Sequence, residues 1–236
     1  MKNELVNGFR VNERHITVLT HPINNVFPDT RLTCFEAKRK LGIEKGKKTL
    51  LFFGRIRPYK GLEHLVDAFE FLAANDSEYR LIIAGEQKKG SEEYARLIEK
   101  LIAPGIAAGR IIPKFGFVPD EEAEVYFKAA DVLVLPYKQI FQSGVLFLAY
   151  AFGLPVLGTD VGSFREAIQQ GKTGMICRSC KPQDLCDGIE MYFASDLYLN
   201  LDTHRREIRD YGLREHSWDA AARRICNVYM QLAGNQ

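Results

Sequence analysis

Residues 49–69 read TLLFFGRIRPYKGLEHLVDAF, a complete strand, loop and helix in one stretch. The apolar run over 50–53 is short enough for a strand and too continuous for a half-exposed sheet. It predicts a strand buried on both faces, as in a parallel sheet. Beyond Gly54 the periodicity changes, and Leu62, Leu65, Val66, Phe69 and Leu72 recur at helical spacing. Between strand and helix stand Arg55, Arg57 and Lys60. Gly54 lets the backbone turn tightly, Pro58 stiffens the loop, and Lys60 and Gly61 stand where the helix begins. A helix start carries the positive end of the peptide dipoles, so an anion is favoured there. Two phosphates suit Arg55 and Lys60 better than one carboxylate would.

The same step recurs along the chain. Apolar runs at 80–85, 110–116, 131–137, 155–160 and 174–178 predict five more strands, and LEHLVDAFEFLAA, EEYARLIEKLIA, DEEAEVYFKAA and VLFLAYAFG predict intervening helices. Repeated strand–helix alternation implies an α/β fold: a doubly wound, mostly parallel, Rossmann-like sheet with helices on both faces. Upstream, ITVL at 16–19 reads as a short strand and 30–41 as a helix ending at Gly42. After about residue 182 strand signals stop and three helices are expected. The last opens at Ser217, a suitable N-cap, and places Trp218, Ala221, Ile225, Val228, Tyr229 and Leu232 on one stripe, a pattern that ordinarily packs into a core.

Ligands of open parallel sheets bind beyond the carboxyl ends of the strands. The residues just past the strands here are Gly54 to Gly61, then Gly85, Glu86, Gln87 and Lys88, then Gly116, Phe117, Val118 and Pro119. Tyr137, Lys138 and Gln139 follow, and then Thr159 to Ser163. A further loop, Gln142-Ser143-Gly144-Val145, precedes a very apolar helix and can offer backbone N–H groups to another oxygen of the same ligand. Two anion-friendly loops on one rim point to a nucleotide carrying a diphosphate. Neither the glycine-rich dinucleotide fingerprint nor the P-loop pattern is present, which argues against NAD and against a simple NTPase.

Composition narrows the partners. The 236 residues are 46% hydrophobic and 26% charged, with 32 Lys+Arg against 30 Asp+Glu. A nearly neutral balance gives no bulk attraction to nucleic acid or to a membrane surface. With no uncharged apolar stretch of about 18 residues, the expectation is a cytoplasmic protein. The five cysteines are scattered, and Cys177-x-x-Cys180 with Cys186 lacks a fourth ligand at metal spacing. They read as reduced thiols, with no metal.

Several segments in order, "FFGRIRPYKGLEHLVDAF", "LIIAGE", "FGFVPDEEAEVYFKAADVLVLPY", "AFGLPVLGTDVGSFREAI", "GKTGMI" and "HSWDAAARRICNVY", resemble the C-terminal, donor-binding domain of family-4 (group 1) glycosyltransferases, which have the GT-B fold. The resemblance spans about residues 16–230. It implies retaining transfer of a sugar from a UDP-, GDP- or ADP-sugar, with no metal or other cofactor. It implies that Arg55 and Lys60 neutralise the departing diphosphate, and that Phe117 and Val118 lie where the base is held. Gly54, Glu86, Gln142, Ser143, Gly144, Val145 and Glu166 are the other donor-site candidates. His21 matches a loop near the interdomain cleft, and Asp160 reads as a turn residue. The chain divides into a segment 1–15, a donor domain 16–216 and a crossing helix with tail 217–236. In the family that helix crosses back to an N-terminal acceptor domain, and without that domain some of its apolar stripe is left exposed.

The family pattern departs at one point. Its two glutamates, eight residues apart before the GLPV turn, fall here on Ile140 and Leu148. The Gln142-Ser143-Gly144 loop is then expected to supply backbone amides instead. A rival reading is a non-catalytic module that keeps the fold without the donor contacts. Another GT-B-like enzyme, such as an epimerase, fits the order of the closing motifs less well.

Overall fold

Six strands hydrogen-bond in the order β3-β2-β1-β4-β5-β6, all neighbours parallel, in a computed structural model that describes residues 2–19, 22–23, 30–87 and 90–233. In chain order the elements are α1 (Lys2–Phe9), α2 (Cys34–Lys40), β1 (Lys48–Phe53), α3 (Leu62–Asn75), β2 (Tyr79–Gly85) and α4 (Glu92–Ala107). Then come β3 (Ile111–Phe115), α5 (Asp120–Ala129), β4 (Val132–Leu135), α6 (Gly144–Ala151), β5 (Val156–Thr159), α7 (Phe164–Ala167) and β6 (Gly174–Cys177). Helices α8 (Pro182–Phe193), α9 (Asp196–Leu199), α10 (Leu201–His216) and α11 (Trp218–Ala233) complete the chain. The chain runs outward from β1 to β3, then returns to the other side of β1 as β4. That reversal makes the β1/β4 junction the topological switch point of a doubly wound sheet.

Six of the seven strand expectations are met: the inner strands announce themselves as unbroken apolar runs, and the edge strand β3, half-buried over most of its length, still begins with Ile111 and Ile112 although it carries Pro113 and Lys114. Leu50, Leu51 and Phe52 are fully buried, with Leu50 in register with Leu81 on one side and Val132 on the other. Leu62, Leu65, Val66, Phe69 and Leu72 line the buried stripe of α3, which packs against α4 and α8. Helix α2 packs on α5, and α6 on α10. At the amino edge of the sheet, Asp131 accepts from the Thr49 amide at 2.8 Å and pairs with Lys38 Nζ at 2.8 Å. Its own carbonyl accepts from Tyr192 Oη at 2.6 Å. Asp131, at the start of β4, thus joins α2 and β1 through its carboxylate and α8 through its carbonyl.

Four expectations are corrected. Residues 16–19 form no strand: Ile16 closes a 3-10 turn by donating to the Glu13 carbonyl, and Val18 and Leu19 stay exposed with no sheet edge beside them. The helix expected over 30–41 starts at Cys34, where Thr33 and Glu36 form a reciprocal capping box. Four helices follow residue 182 rather than three, the short α9 being set off at Asn200. The α11 stripe is not core but is partly exposed, as the family resemblance implied: Ala220 and Ala221 are buried, whereas Trp218, Ile225, Tyr229 and Leu232 are exposed. Ser217 does hold the start of that helix, its Oγ accepting from the Ala220 amide at 3.1 Å.

Candidate functional site

The crevice at the switch point is built by the loops that leave β1 and β4. Gly54, at φ 102°, ends β1 with its amide bonded to the Ala84 carbonyl, and the Ile56 amide donates to the Glu86 carbonyl at 2.9 Å. The loop is thereby stitched to the end of β2. It then makes a 3-10 turn over Pro58–Lys60 and reaches Gly61 at φ 66°. A Cβ on Gly61 would lie 2.1 Å from the Pro136 carbonyl oxygen, so only glycine lets this loop lie against the end of β4. A second stitch, from the Lys138 amide to the Tyr59 carbonyl at 2.8 Å, binds the two loops together. Glu63, in the first turn of α3, accepts from Lys138 Nζ at 2.5 Å and from Tyr94 Oη. Partial burial raises the Glu63 pKa, but those hydrogen bonds outweigh it and hold the carboxyl below its usual range.

Lys60 is the centre of this arrangement. It is only 7% exposed, and its ammonium lies 5.2 Å from the centroid of the Tyr137 ring. A methyl group on Gly54 would stand 3.1 Å from Lys60 Nζ and 3.4 Å from Val145 Cγ2, so the β1 loop and the start of α6 converge on one point. Burial first, and the charge of Arg55 second, bring the Lys60 pKa down to about 8. Among the described residues neither Lys60 nor Arg55 has a carboxylate in salt-bridge range, and Arg55 is exposed. Two close cations without a counter-charge, one of them desolvated, make an anion site.

The α6 side of the crevice adds neutral donors. The first amides of a helix have no intrahelical acceptor, and Gly144 and Val145 supply them here. Ser143, buried at the N-cap, makes no capping bond. The Tyr137 hydroxyl is enclosed and has no hydrogen-bond partner, an arrangement that costs about 1–3 kcal/mol. Gln142 and Gly144 are exposed and Val145 half-buried. The loop is strapped from the other side as well, by Ser163 donating from its amide to the Phe141 carbonyl at 3.1 Å.

Other candidates sit farther along the rim. Glu86 is exposed at the end of β2, where its carbonyl serves the Ile56 stitch. Phe117, 73% exposed, and the half-buried Val118 follow β3, whose end is tied to that of β2 by the Gly116 amide donating to the Gly85 carbonyl at 3.1 Å. Glu166 lies exposed on α7. Asp160 binds Arg165, with Nε to Oδ1 at 2.9 Å, and that hydrogen bond keeps its carboxyl below the usual range. His21 and Lys88 lie outside the described residues. Leu148 is buried in the core and Ile140 is half-buried. Cys177 and Cys186 are buried thiols whose pKa values burial pushes up to about 12 and about 11, and no metal cluster forms among the described residues. Glu63, Tyr94 and the orphaned Tyr137 hydroxyl had no individual role in the sequence reading. Only the meeting of β1 and β4 loops makes them neighbours.

A doubly wound sheet with paired cations and free helix amides at its switch point defines an α/β protein whose crevice has the charge and donors to receive a phosphorylated ligand. Residues 35–213 match the family model described as "Glycosyl transferases group 1", and the chain belongs to that family. It is 26% identical to the D-inositol 3-phosphate glycosyltransferase of Corynebacterium urealyticum, over 95% of this chain and 53% of that one. A glycosyltransferase structure from Rickettsia africae superposes with a TM-score of 0.80 at 17% identity, covering 100% of this chain and 62% of that one. The Anabaena HepE structure in complex with UDP gives 0.78 at 18%, covering 93% and 58%. The fold is the Rossmann-like half of the GT-B architecture, and the chain spans about half the length of the curated relatives it matches. No helix among the described residues is long and apolar enough to cross a membrane.

Proposed function

We propose that this chain holds the donor in a glycosyl transfer, binding a nucleotide-diphosphate sugar across the β1/β4 crevice without a metal ion. The observation that carries the reading is the un-neutralised pair of Arg55 and desolvated Lys60 at the switch point, facing the free amides of α6. In this role the two cations stabilise the charge that develops on the leaving diphosphate, which is electrostatic rather than proton chemistry. Phe117 and Val118 hold the base, and Glu86, Gln142 and Glu166 line the rim around sugar and ribose. Retention of configuration follows from the family resemblance, which also assigns the acceptor to an N-terminal domain. Five free cysteines among the described residues support a reducing, cytoplasmic setting.

Titration of the protein with UDP, GDP, ADP and their sugars, in the presence of a chelator, tests this directly. Binding of one of them, lost in Arg55→Ala/Lys60→Ala, is the expected result; undiminished binding in that variant removes the site. A second reading is favoured by the apolar Ile140 and Leu148, the latter committed to the core: a module that keeps the fold but binds no donor. It predicts no response to any nucleotide in a protein that still recognises a partner chain.

A further inference from the structure

Residues 59–61 of the β1 loop and 136–138 of the β4 loop lie against each other in opposite directions. The Tyr59 carbonyl accepts from the Lys138 amide at 2.8 Å, and the Lys60 ammonium lies 5.2 Å from the centroid of the Tyr137 ring. Gly61 packs so tightly on the Pro136 carbonyl that a Cβ would come to 2.1 Å of its oxygen. The β4 loop is therefore a wall that keeps water from Lys60. One side chain locks that wall in place. Glu63 stands two residues past Gly61, in the first turn of α3, between the fully buried Leu62 and Leu65. Its Oε1 accepts from Lys138 Nζ at 2.5 Å, and its Oε2 accepts from Tyr94 Oη on α4. An exposed ion pair holds little, but this carboxylate side chain is only 15% exposed and its second oxygen is fixed by the tyrosine. Two helices thus fix the carboxylate, and the carboxylate fixes the tip of the β4 loop.

We propose that Glu63 is a positioning residue for the donor site: held by Tyr94, it clamps the β4 loop onto the β1 loop through Lys138 and so keeps Lys60 seated against Tyr137, where a diphosphate oxygen meets it. The inference rests on the donor-binding reading above. A cation fixed in a dry place before the ligand arrives attracts an anion more strongly than a hydrated one and loses little freedom on binding. Lys60 itself reports on the clamp. Burial, more than the charge of Arg55, holds its pKa at about 8, so a loosened β4 loop lets water in and returns it toward that of a free lysine. The ionisable groups around Lys60 are Arg55 and Tyr59 on its own loop, Tyr137 and Lys138 on the β4 loop, and Glu63 on α3. Burial raises the Tyr137 pKa, so that ring stays neutral while Lys60 titrates.

The test follows binding of UDP, GDP and ADP by calorimetric titration from about pH 7 to about pH 10. It compares the wild-type protein with Glu63→Gln, Lys138→Met and the double variant, with thermal unfolding of each alongside. Each single variant is expected to weaken diphosphate binding about fivefold at the low end of that range. The double variant is expected to be no weaker than the poorer single variant by more than about twofold. In all three the fall in affinity is expected to begin about one pH unit higher than in the wild type, as Lys60 regains water. The sign in Glu63→Gln separates a clamp from a simple field effect. Removing a negative charge beside the crevice would by itself strengthen diphosphate binding and move the fall to lower pH. Unchanged or stronger binding in Glu63→Gln, or a loss equal at every pH with the fall still starting near pH 8, overturns the clamp and leaves the donor reading intact. Should Glu63→Gln fail to fold, Tyr94→Phe takes its place, since it alters no charge and removes only the hydrogen bond that fixes the carboxylate. It is expected to weaken binding about twofold with the same upward move of the profile, and an unmoved profile in that variant overturns the clamp. A wild-type protein that binds none of the diphosphates overturns both readings.

Discussion

Lys60 ties structure to solution behaviour at the scale of a single residue. Its folded-state pKa of about 8 lies below the 10.5 of a free lysine, because burial and Arg55 disfavour the charged form. Between those two values the unfolded chain binds more protons than the folded one, so the Lys60 contribution to stability rises with pH across that window. Donor binding runs the other way. A diphosphate favours the ammonium, so affinity for a sugar nucleotide is expected to be level up to about pH 7.5 and to fall above about pH 8 by up to about tenfold per pH unit. Calorimetry from about pH 7 to about pH 9.5 reads this, and Lys60→Arg should flatten the profile because a guanidinium keeps its charge throughout. An unchanged slope in that variant would assign the titration to another group. Phe117 yields the second expectation at this scale. Its ring is 73% exposed, so Phe117→Ala should leave the unfolding temperature in place. If the ring stacks on the base, as proposed, nucleotide binding should weaken about tenfold, in line with about 1–3 kcal/mol for base–aromatic stacking. Equal affinity in wild type and variant would move the base elsewhere. Arg55 and Lys60 could be picked out from the chain because cations gathered past an apolar run are a local pattern. The orphaned Tyr137 hydroxyl could not, because its isolation depends on which side chains two distant loops bring to it.

Among the elements, β1 and β4 matter most, and their pairing is secured at the edge away from the crevice. Asp131 takes the Lys38 ammonium and the Thr49 amide together, in a site where the lysine and the carboxylate are both largely buried. Asp131→Ala would leave the Lys38 charge uncompensated and the amide without its acceptor. The expected loss is about 3–5 kcal/mol, read as a fall in the urea midpoint, and a loss well under about 1 kcal/mol would show that solvent reaches Lys38 there. The elements also show why periodicity succeeds in some places and fails in others. The inner strands were readable because burial on two faces leaves mostly apolar residues in the run, and β3, an edge strand carrying Pro113 and Lys114, was readable from its Ile111-Ile112 start. ITVL at 16–19 carries the same composition, but a strand needs a neighbour to pair with, and the run supplies only half of that condition. The capping box at Thr33 and Glu36 was written in the sequence as Thr-x-x-Glu and would have placed the start of α2.

At the scale of the whole molecule the open question is what covers α11. Its spacing alone read as core, since spacing records that a face is apolar but not which body it faces, whereas the family resemblance implied that part of it is exposed. In the fold that face is largely turned outward, with Trp218 61% exposed and Ile225, Tyr229 and Leu232 also exposed along it. The chain spans 53% of a curated relative, and in the proposed function a second half closes over the donor crevice. Trp218 is the only tryptophan in the sequence, so its fluorescence reports on this face alone. In this chain the emission should lie close to that of indole in water and be readily quenched by acrylamide. Deleting residues 218–236 should lower the unfolding temperature by no more than a few degrees, because α11 buries only Ala220 and Ala221, and side chains that small withdraw little apolar area. Adding the N-terminal half of a related family member should shift the emission to the blue and protect it from quencher if α11 is the surface that half occupies. A partner that restores transfer while Trp218 stays fully quenchable would show that the two halves meet elsewhere, and that the exposed stripe serves another contact.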